Sequence, residues 1–461
     1  MLFQRQLPPE LTDLIIDEVK AIQKDSRNSS SFSMRHLALV CKDWLPRVRY
    51  HAFSSVTLGC QDLLSDIAMI RNANIALYIR RLELNGGEDK TAADVSDIFG
   101  LLQLLPNLRV LNLRSILLVY RWHTHDSVVF KGEFKLEKLR LHKVIIVDHS
   151  LKSDEKRPDG TNQYETIQTS LEHLLPIFSS LGSLELDFVT QSGWLNVCRR
   201  KKNRCTPVAS HSGHPNSPVS RRLRTLILKE LYTPSAYFWP ALSSYAVSEL
   251  VLQPTELRDV EFLFRNGPIL VNPQRLTLRF WHFLTKQPCS SSQLIPYLPQ
   301  LKSIDTLSLF FSLTGAKTIE SPVIIDMLDF LLVANTSIRS LILEIAIYDC
   351  DNVEKTSESR SGISGEANSH SIYSYFDSVW PWEHLRKALQ NFRQLEQLQL
   401  IFFGCSHRDC EKESLQRSRL AHASKIHTNL PELHRQGKLL VEWRGLNLLG
   451  LQWDRAVHNI R

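Results

Sequence analysis

Leu108-Arg109-Val110-Leu111-Asn112-Leu113 decides the fold of this chain, because its spacing returns along most of the sequence. The pattern is an apolar residue, two variable positions, Leu, one variable position, Leu. It recurs as Ile79-Leu82-Leu84, Leu136-Leu139-Leu141, Leu181-Leu184-Leu186, Leu223-Leu226-Leu228 and Val247-Leu250-Leu252. Further on it appears as Ile304-Leu307-Leu309, Ile338-Leu341-Leu343 and Leu395-Leu398-Leu400, with Leu276-Leu278 a tenth copy whose first apolar position is Pro273. Alternate residues of a strand point to one side, so each copy predicts a strand with an inward leucine pair. Stretches at helical spacing lie between copies: Val95, Ile98, Phe99, Leu102 and Leu105; Leu257, Val260, Leu263 and Phe264; Leu385, Leu389 and Phe392. Strand, helix, strand at this recurrence predicts a parallel sheet.

The pattern resembles leucine-rich repeats. That likeness implies an α/β fold, a leucine-rich-repeat-like solenoid over residues 56–445 with a curved parallel sheet and outer helices. Spacing departs from the consensus: successive last leucines stand 24 to 57 residues apart, beyond the usual 20–29 at the upper end. The Asn or Cys expected three residues past the last Leu is Ile116, Val144, Val189 and Leu231. An apolar turn is therefore expected in place of an asparagine ladder. Three polar insertions, near 149–168, 194–222 and 350–375, are read as disordered, and 446–461 as a tail.

Ahead of the repeats, residues 1–55 read as three helices. Pro8, Pro9 and Glu10 suit a first turn, and Leu11, Leu14, Ile15, Val19 and Ile22 make one apolar stripe. A second helix is expected from Met34 to Lys42. A third should follow Asp43 as N-cap, with Pro46 in its first turn. So small a unit hides only about 60% of what its unfolded chain exposes, and its apolar surplus asks for a partner's surface.

This segment resembles the F-box in a divergent form found in large fungal families. The matching residues are Leu7-Pro8-Pro9-Glu10-Leu11, Ile15-Ile16, Val19, Leu37-Ala38-Leu39-Val40-Cys41-Lys42-Asp43-Trp44 and Arg47 to Phe53. The resemblance implies docking to the Skp adaptor of a Skp–cullin–F-box ubiquitin ligase. It places Leu7, Pro8, Pro9, Leu11, Ile15, Ile16, Val40 and Trp44 at or just under that contact. The solenoid would then hold a protein substrate. Outward strand positions are polar in the first half, among them Glu83, Asn112, Arg114, Arg140, His142, Glu185 and Asp187. In the second half Ile227, Val251, Phe310, Ile342 and Ile401 stand there, and are the expected substrate-binding row unless the chain folds over them.

Composition excludes other classes. The chain has 461 residues, 43% of them hydrophobic, enough for a sizeable core. No apolar run reaches a membrane span, since Val323 to Ala334 contains Asp326 and Asp329. The net charge of +7 is exceeded by eight cations between Asn196 and Thr225, so basicity belongs to one segment, either an import signal or a solvated loop. Aromatic residues do not interleave those charges, which argues against nucleic acid. Cys405, His407 and Cys410, and Cys198, Cys205, His211 and His214, lack the paired spacing of a zinc site, and the eight cysteines are expected to be free thiols. No phosphate loop, dinucleotide fingerprint or nucleophile elbow is present. The expectation is a substrate receptor without enzymatic activity, metal or cofactor, in the cytoplasm or nucleus. The alternative is a non-ligase interaction scaffold whose degenerate F-box caps the solenoid.

Overall fold

The computed structural model describes residues 8–25, 37, 40–61, 63–72, 74–119, 134–146, 171, 174–187, 189–191, 221–229, 242, 245–253, 273–280, 304–314, 328, 331–332, 337–348, 380–405 and 412–446. The expected insertion at 149–168, the segments 192–220 and 349–379, the helix near Leu257 and residues 447–461 lie outside them. The chain divides into two compact units, residues 1–223 and 224–461.

Unit 1 opens with helix α1 (Pro9–Asp25), a 3-10 turn (Lys42–Trp44) and helix α2 (Leu45–Phe53). Then come β1 (Ser55–Gly59), α3 (Leu63–Asn72), β2 (Arg81–Asn85), β3 (Ala92–Asp94), α4 (Val95–Leu104), β4 (Val110–Arg114) and β5 (Leu117–Val119). The unit closes with β6 (Phe134–His142), β7 (Ile145–Ile146), β8 (Phe178–Asp187) and β9 (Thr190–Gln191), and β10 (Arg221–Lys229) leads into unit 2. There follow β11 (Tyr245–Gln253), β12 (Arg275–Phe280), β13 (Thr306–Thr314), β14 (Ser340–Tyr348), α5 (Trp382–Gln390), β15 (Gln397–Cys405), α6 (Lys412–Asn429), α7 (Pro431–Arg435) and β16 (Leu439–Leu446).

The leucine pair of each of the ten copies lies on a strand, in chain order, within a parallel sheet of twelve: β1-β2-β4-β6-β8-β10-β11-β12-β13-β14-β15-β16. That order is consistent with a solenoid-like α/β fold. In unit 1 the leucines form two columns, Leu82-Leu111-Leu139-Leu184 and Leu84-Leu113-Leu141-Leu186, all buried. Unit 2 has its own columns, Leu250-Leu276-Leu307-Leu341-Leu398-Leu439 and Leu252-Leu278-Leu309-Leu343-Leu400-Val441. Burying one such side chain is worth about 1.5–3 kcal/mol, so the columns are the main source of cohesion.

Backbone hydrogen bonds carry the repeat beyond the strands. The carbonyl just ahead of one strand accepts two N–H groups from the next repeat: Arg80 O takes Arg109 N and Val110 N, and Arg109 O takes Glu137 N and Lys138 N. Unit 2 repeats the device at Gln274, Asp305 and Arg339. Past the strands, Gly86 N, Ser115 N and Lys143 N donate to Arg114 O, His142 O and Asp187 O at 2.8–2.9 Å. Ser115 and Lys143 turn the chain with positive φ (51° and 54°). Ile116, Val144 and Val189 then drop into the core, so the apolar turn takes the place of an asparagine ladder, while Leu231 lies outside the described residues. A second parallel sheet, β3-β5-β7-β9, forms from these turns.

Two of the three expected helical stretches lie among the described residues and form helices. On α4 Val95, Ile98, Leu101 and Leu102 are buried, and Asp94 caps the helix by accepting from Ser96 N at 2.9 Å. On α5 Trp382, Leu385 and Ala388 are buried.

Three expectations need correction. Asp43 does not cap α2; it lies in the 3-10 turn, and Trp44 is the N-cap, without a side-chain hydrogen bond. Pro46 explains the shift, because a residue lacking an N–H is placed best at the very start of a helix, and an Asp43 cap would push it a position deeper. The helix expected over Met34–Lys42 ends sooner, since Lys42 opens the 3-10 turn; of its middle, Leu37 is helical and Val40 is in a turn. The insertion drawn to 222 stops earlier, as Arg221 and Arg222 already belong to β10, with Arg221 Nη1 donating to Leu175 O at 3.4 Å. Among the described residues no helix is long and apolar enough to cross a membrane.

Candidate functional site

The N-terminal helices have a small core of their own. Ile16, Leu37 and Val48 are its buried members, and Val19 and Trp44 pack against it. Helix α1 starts where Pro8 O accepts Leu11 N and Thr12 N, both at 3.1 Å. Its position is set by an ionic clasp: Arg47 Nε donates to Asp17 Oδ1 at 2.7 Å, Arg47 Nη2 donates to Oδ2, and His51 Nε2 lies 2.6 Å from Oδ1. Behind the clasp Arg47 and Arg80 both lie over the Tyr50 ring, at 5.1 and 4.8 Å.

That arrangement turns one apolar face of α1 outward. Leu11 is 48% exposed, Leu14 62% and Ile15 40%, and Val40 beyond the buried Leu37 is 57% exposed. Positions 11, 14 and 15 are neighbours on one helix face, so they present a continuous apolar surface. Scattered apolar residues on a surface are ordinary, but a cluster on one face of a helix marks an interaction surface.

Of the residues implied by the F-box resemblance, Leu7 lies outside the described residues, and Pro8, Pro9, Leu11, Ile15 and Val40 are exposed. Trp44 is half-buried against the small core. Ile16 faces inward and is fully buried, so it supports the face from beneath rather than touching a partner. Leu14, part of the apolar stripe but not of the expected contact, is the most exposed of the group. Its signal was its place between Leu11 and Ile15.

The Asp17 clasp is pH-dependent with a definite sign. The Arg47 hydrogen bond holds the Asp17 carboxyl below the usual aspartate value of 3.8; burial opposes this and His51 adds to it. A depressed carboxylate stabilises the folded state above the unfolded pKa, and the contribution is lost as pH falls through the folded value. Asp17→Asn should therefore loosen α1 at neutral pH and remove this part of its acid sensitivity. Hydrogen exchange of α1 amides at pH 7 and near pH 3 checks both. Equal protection in variant and parent at neutral pH would contradict the role given to the clasp.

The apolar row of the second half is not open surface. Val251, Phe310 and Ile401 are buried and Ile227 and Ile342 half-buried in the isolated chain. Phe310 meets Phe403 with ring centroids 6.1 Å apart. Polar groups on the same side are sequestered too: Ser308 Oγ donates to Glu344 Oε1 at 3.3 Å and Gln399 Nε2 to Glu442 Oε1 at 2.7 Å. The reason is visible in Leu400-Ile401-Phe402-Phe403, an unbroken apolar run of the kind found in parallel strands covered on both sides.

In unit 1 the corresponding side of the sheet is polar and partly open. Lys138, Arg140 and His142 stand at alternate positions of β6, with Ser183, Glu185 and Asp187 as their register partners on β8. Lys138 Nζ is 2.6 Å and Arg140 Nε 3.3 Å from Glu185, and Arg140 Nη2 and His142 Nδ1 are each 3.0 Å from Asp187. On the neighbouring strands Arg114 Nη1 is 3.7 Å from Glu83.

Among the described residues no three His, Cys, Asp or Glu side chains gather as a metal site. Cys198, Cys205, His211, His214, His407 and Cys410 lie outside those residues. No family model matches the chain, and no curated protein matches it.

Proposed function

We propose that this chain is the substrate-recognition subunit of a Skp–cullin–F-box ubiquitin ligase, with a three-helix F-box at its N-terminus and a leucine-rich-repeat-like solenoid behind it. The observation that carries the reading is the outward apolar face of Leu11, Leu14 and Ile15, with Val40, on helices whose own core is already filled by Ile16, Leu37 and Val48. Apolar surface left bare beside a completed core is a docking surface for another protein. The array contributes by proximity: the N-terminal helices hold the Skp adaptor and through it a cullin, and the strands behind them hold a protein substrate. Substrate lysines are thereby kept at high effective concentration near the ligase's catalytic partner, without bond chemistry by this chain.

Replacing Leu11, Leu14 and Ile15 by Asp tests this, since none of them is in the core and the fold should survive. The parent chain, co-expressed with the Skp adaptor, should carry the adaptor through affinity and size-exclusion steps. The triple variant should lose it, with thermal unfolding unchanged. A parent chain that remains free of the adaptor sinks the reading.

One feature favours the scaffold alternative, in which a degenerate F-box caps the array. A single residue, Ser54, separates α2 from β1, and its carbonyl accepts both Arg80 N (3.0 Å) and Arg81 N (2.8 Å), as the repeats do among themselves. Under that alternative the triple variant behaves like the parent and neither binds the adaptor.

A further inference from the structure

On the polar side of the sheet in unit 1, cations stand above their counter-charges. The Lys138 side chain is 38% exposed where its partner Glu185 is 4%, and Arg140 is 36% exposed where Asp187 is 9%. Arg114 repeats the relation more loosely over Glu83, and Arg81, next to Val110 in the register, is exposed as well. The carboxylates therefore hold the cationic heads from below, and the side that meets solvent is positive. Pairs of this kind add little to stability when exposed. Their consequence is positional: guanidinium and ammonium groups are fixed in place before any ligand arrives, which lowers the ordering cost of binding.

Asn112 lies between Glu83 and Arg140 in the register, so a group that can both donate and accept stands among the cations. That mixture suits a peptide, whose main chain needs both kinds of partner. It suits a nucleic acid poorly, because among the described residues the outward positions of β1, β2 and β4 and residues 138–142 of β6 hold no Phe, Tyr or Trp for base stacking, and Phe134 at the start of β6 is half-buried against Phe99, with ring centroids 5.5 Å apart.

We propose that this face of unit 1 docks an extended acidic segment of the substrate protein, its carboxylates taken up by Arg81, Arg114, Lys138 and Arg140. The proposal rests on the receptor reading above and names the substrate's chemistry. It also moves substrate recognition from the covered apolar row of unit 2 to the open polar face of unit 1.

The test uses the full chain and a fluorescein-labelled peptide of alternating Glu and Ser, followed by anisotropy at low and raised salt. The acidic peptide should bind, more weakly as salt rises, and the same peptide with Gln for Glu should not. Arg81→Glu with Arg114→Glu should weaken binding roughly ten-fold or more at an unchanged unfolding midpoint, because both side chains are exposed and support no core. Arg140 is left alone, since its loss would take one counter-charge from each of two buried carboxylates. Neutralising Arg199, Arg200, Lys201, Lys202 and Arg204 to Gln should leave binding unchanged.

Equal binding of the Gln peptide overturns the proposal, as does undiminished binding by the double variant. Loss of binding on neutralising the 199–204 run overturns it too. So does a single-stranded oligonucleotide of equal charge binding as tightly as the peptide. Adaptor capture on the same preparation separates the two ideas. Capture without peptide binding removes the acidic-segment proposal alone, and peptide binding without capture removes the ligase reading alone.

Discussion

Gly86→Ala is expected to destabilise unit 1 by about 2–4 kcal/mol, one of the largest effects a single methyl group could have in this chain. A Cβ built at Gly86 falls 2.1 Å from Ser115 O, 3.0 Å from Thr91 N and 3.1 Å from Ser115 C. All three are backbone atoms, so no rotamer change can make room. Relief requires the turn after β2 to move away from the turn after β4. That motion breaks Gly86 N→Arg114 O (2.9 Å), which ties the turn to the next repeat, and strains Thr91 N→Gly86 O (3.1 Å), which closes the turn itself. Overpacking costs about 1–3 kcal/mol in general, and each hydrogen bond lost in a buried place adds roughly 1 kcal/mol. Gly100 gives the contrast. It lies inside α4, nothing would stand within 4 Å of an added Cβ, and its alanine variant should gain about 0.5–1 kcal/mol from helix propensity. Urea unfolding of the three proteins decides the matter. A Gly86→Ala midpoint indistinguishable from the parent would show that the turns are not locked together at this point.

The leucine pattern carried the sheet from sequence to structure because a parallel stack enforces it: only a residue in register with its neighbours can fill a column. The two end strands escaped for a related reason. Inward positions of β16 are Leu439, Val441 and Trp443, and those of β1 are Val56 and Leu58, so paired leucines are missing although the register is kept. Apolar character and register are what the stack selects, and leucine is only its commonest occupant.

Exposure was harder to read than pairing. Phe310 and Ile401 occupy outward positions by alternation, yet alternation tells which side a residue takes and not whether that side is covered. The continuous apolar runs around them carried the missing information. The same gap separates Ile15 from Ile16 at the candidate docking site. Both belong to an apolar helix surface, and the choice between them is made by Leu37 and Val48, which are distant in sequence and form one buried cluster with Ile16.

Acid should weaken unit 2 well above the carboxylate range, through His422. Its imidazole on α6 is buried edge-on to Phe402, with centroids 4.7 Å apart, and also meets Trp443 at 6.3 Å. Burial, with a smaller contribution from the Lys425 charge, pushes its pKa down to about 4 from 6.5. The folded state therefore refuses a proton that the unfolded chain accepts. Stability is fully present above the unfolded value, falls by roughly 1.4 kcal/mol for each pH unit on the way down, and levels off near the folded value. Between pH 7 and pH 5 the loss should approach about 2 kcal/mol. His427, lowered in the same direction by burial and by the neighbouring His434, adds a smaller loss of the same sign. His422→Leu keeps an apolar body against Phe402 and Trp443 and has nothing to protonate, so it should remove most of the pH slope while changing stability at pH 7 much less. Urea unfolding at the two pH values, for parent and variant, measures it. If the leucine variant retains the parent's slope, the proton is taken up elsewhere and the aromatic enclosure of His422 does not set the acid limit of unit 2.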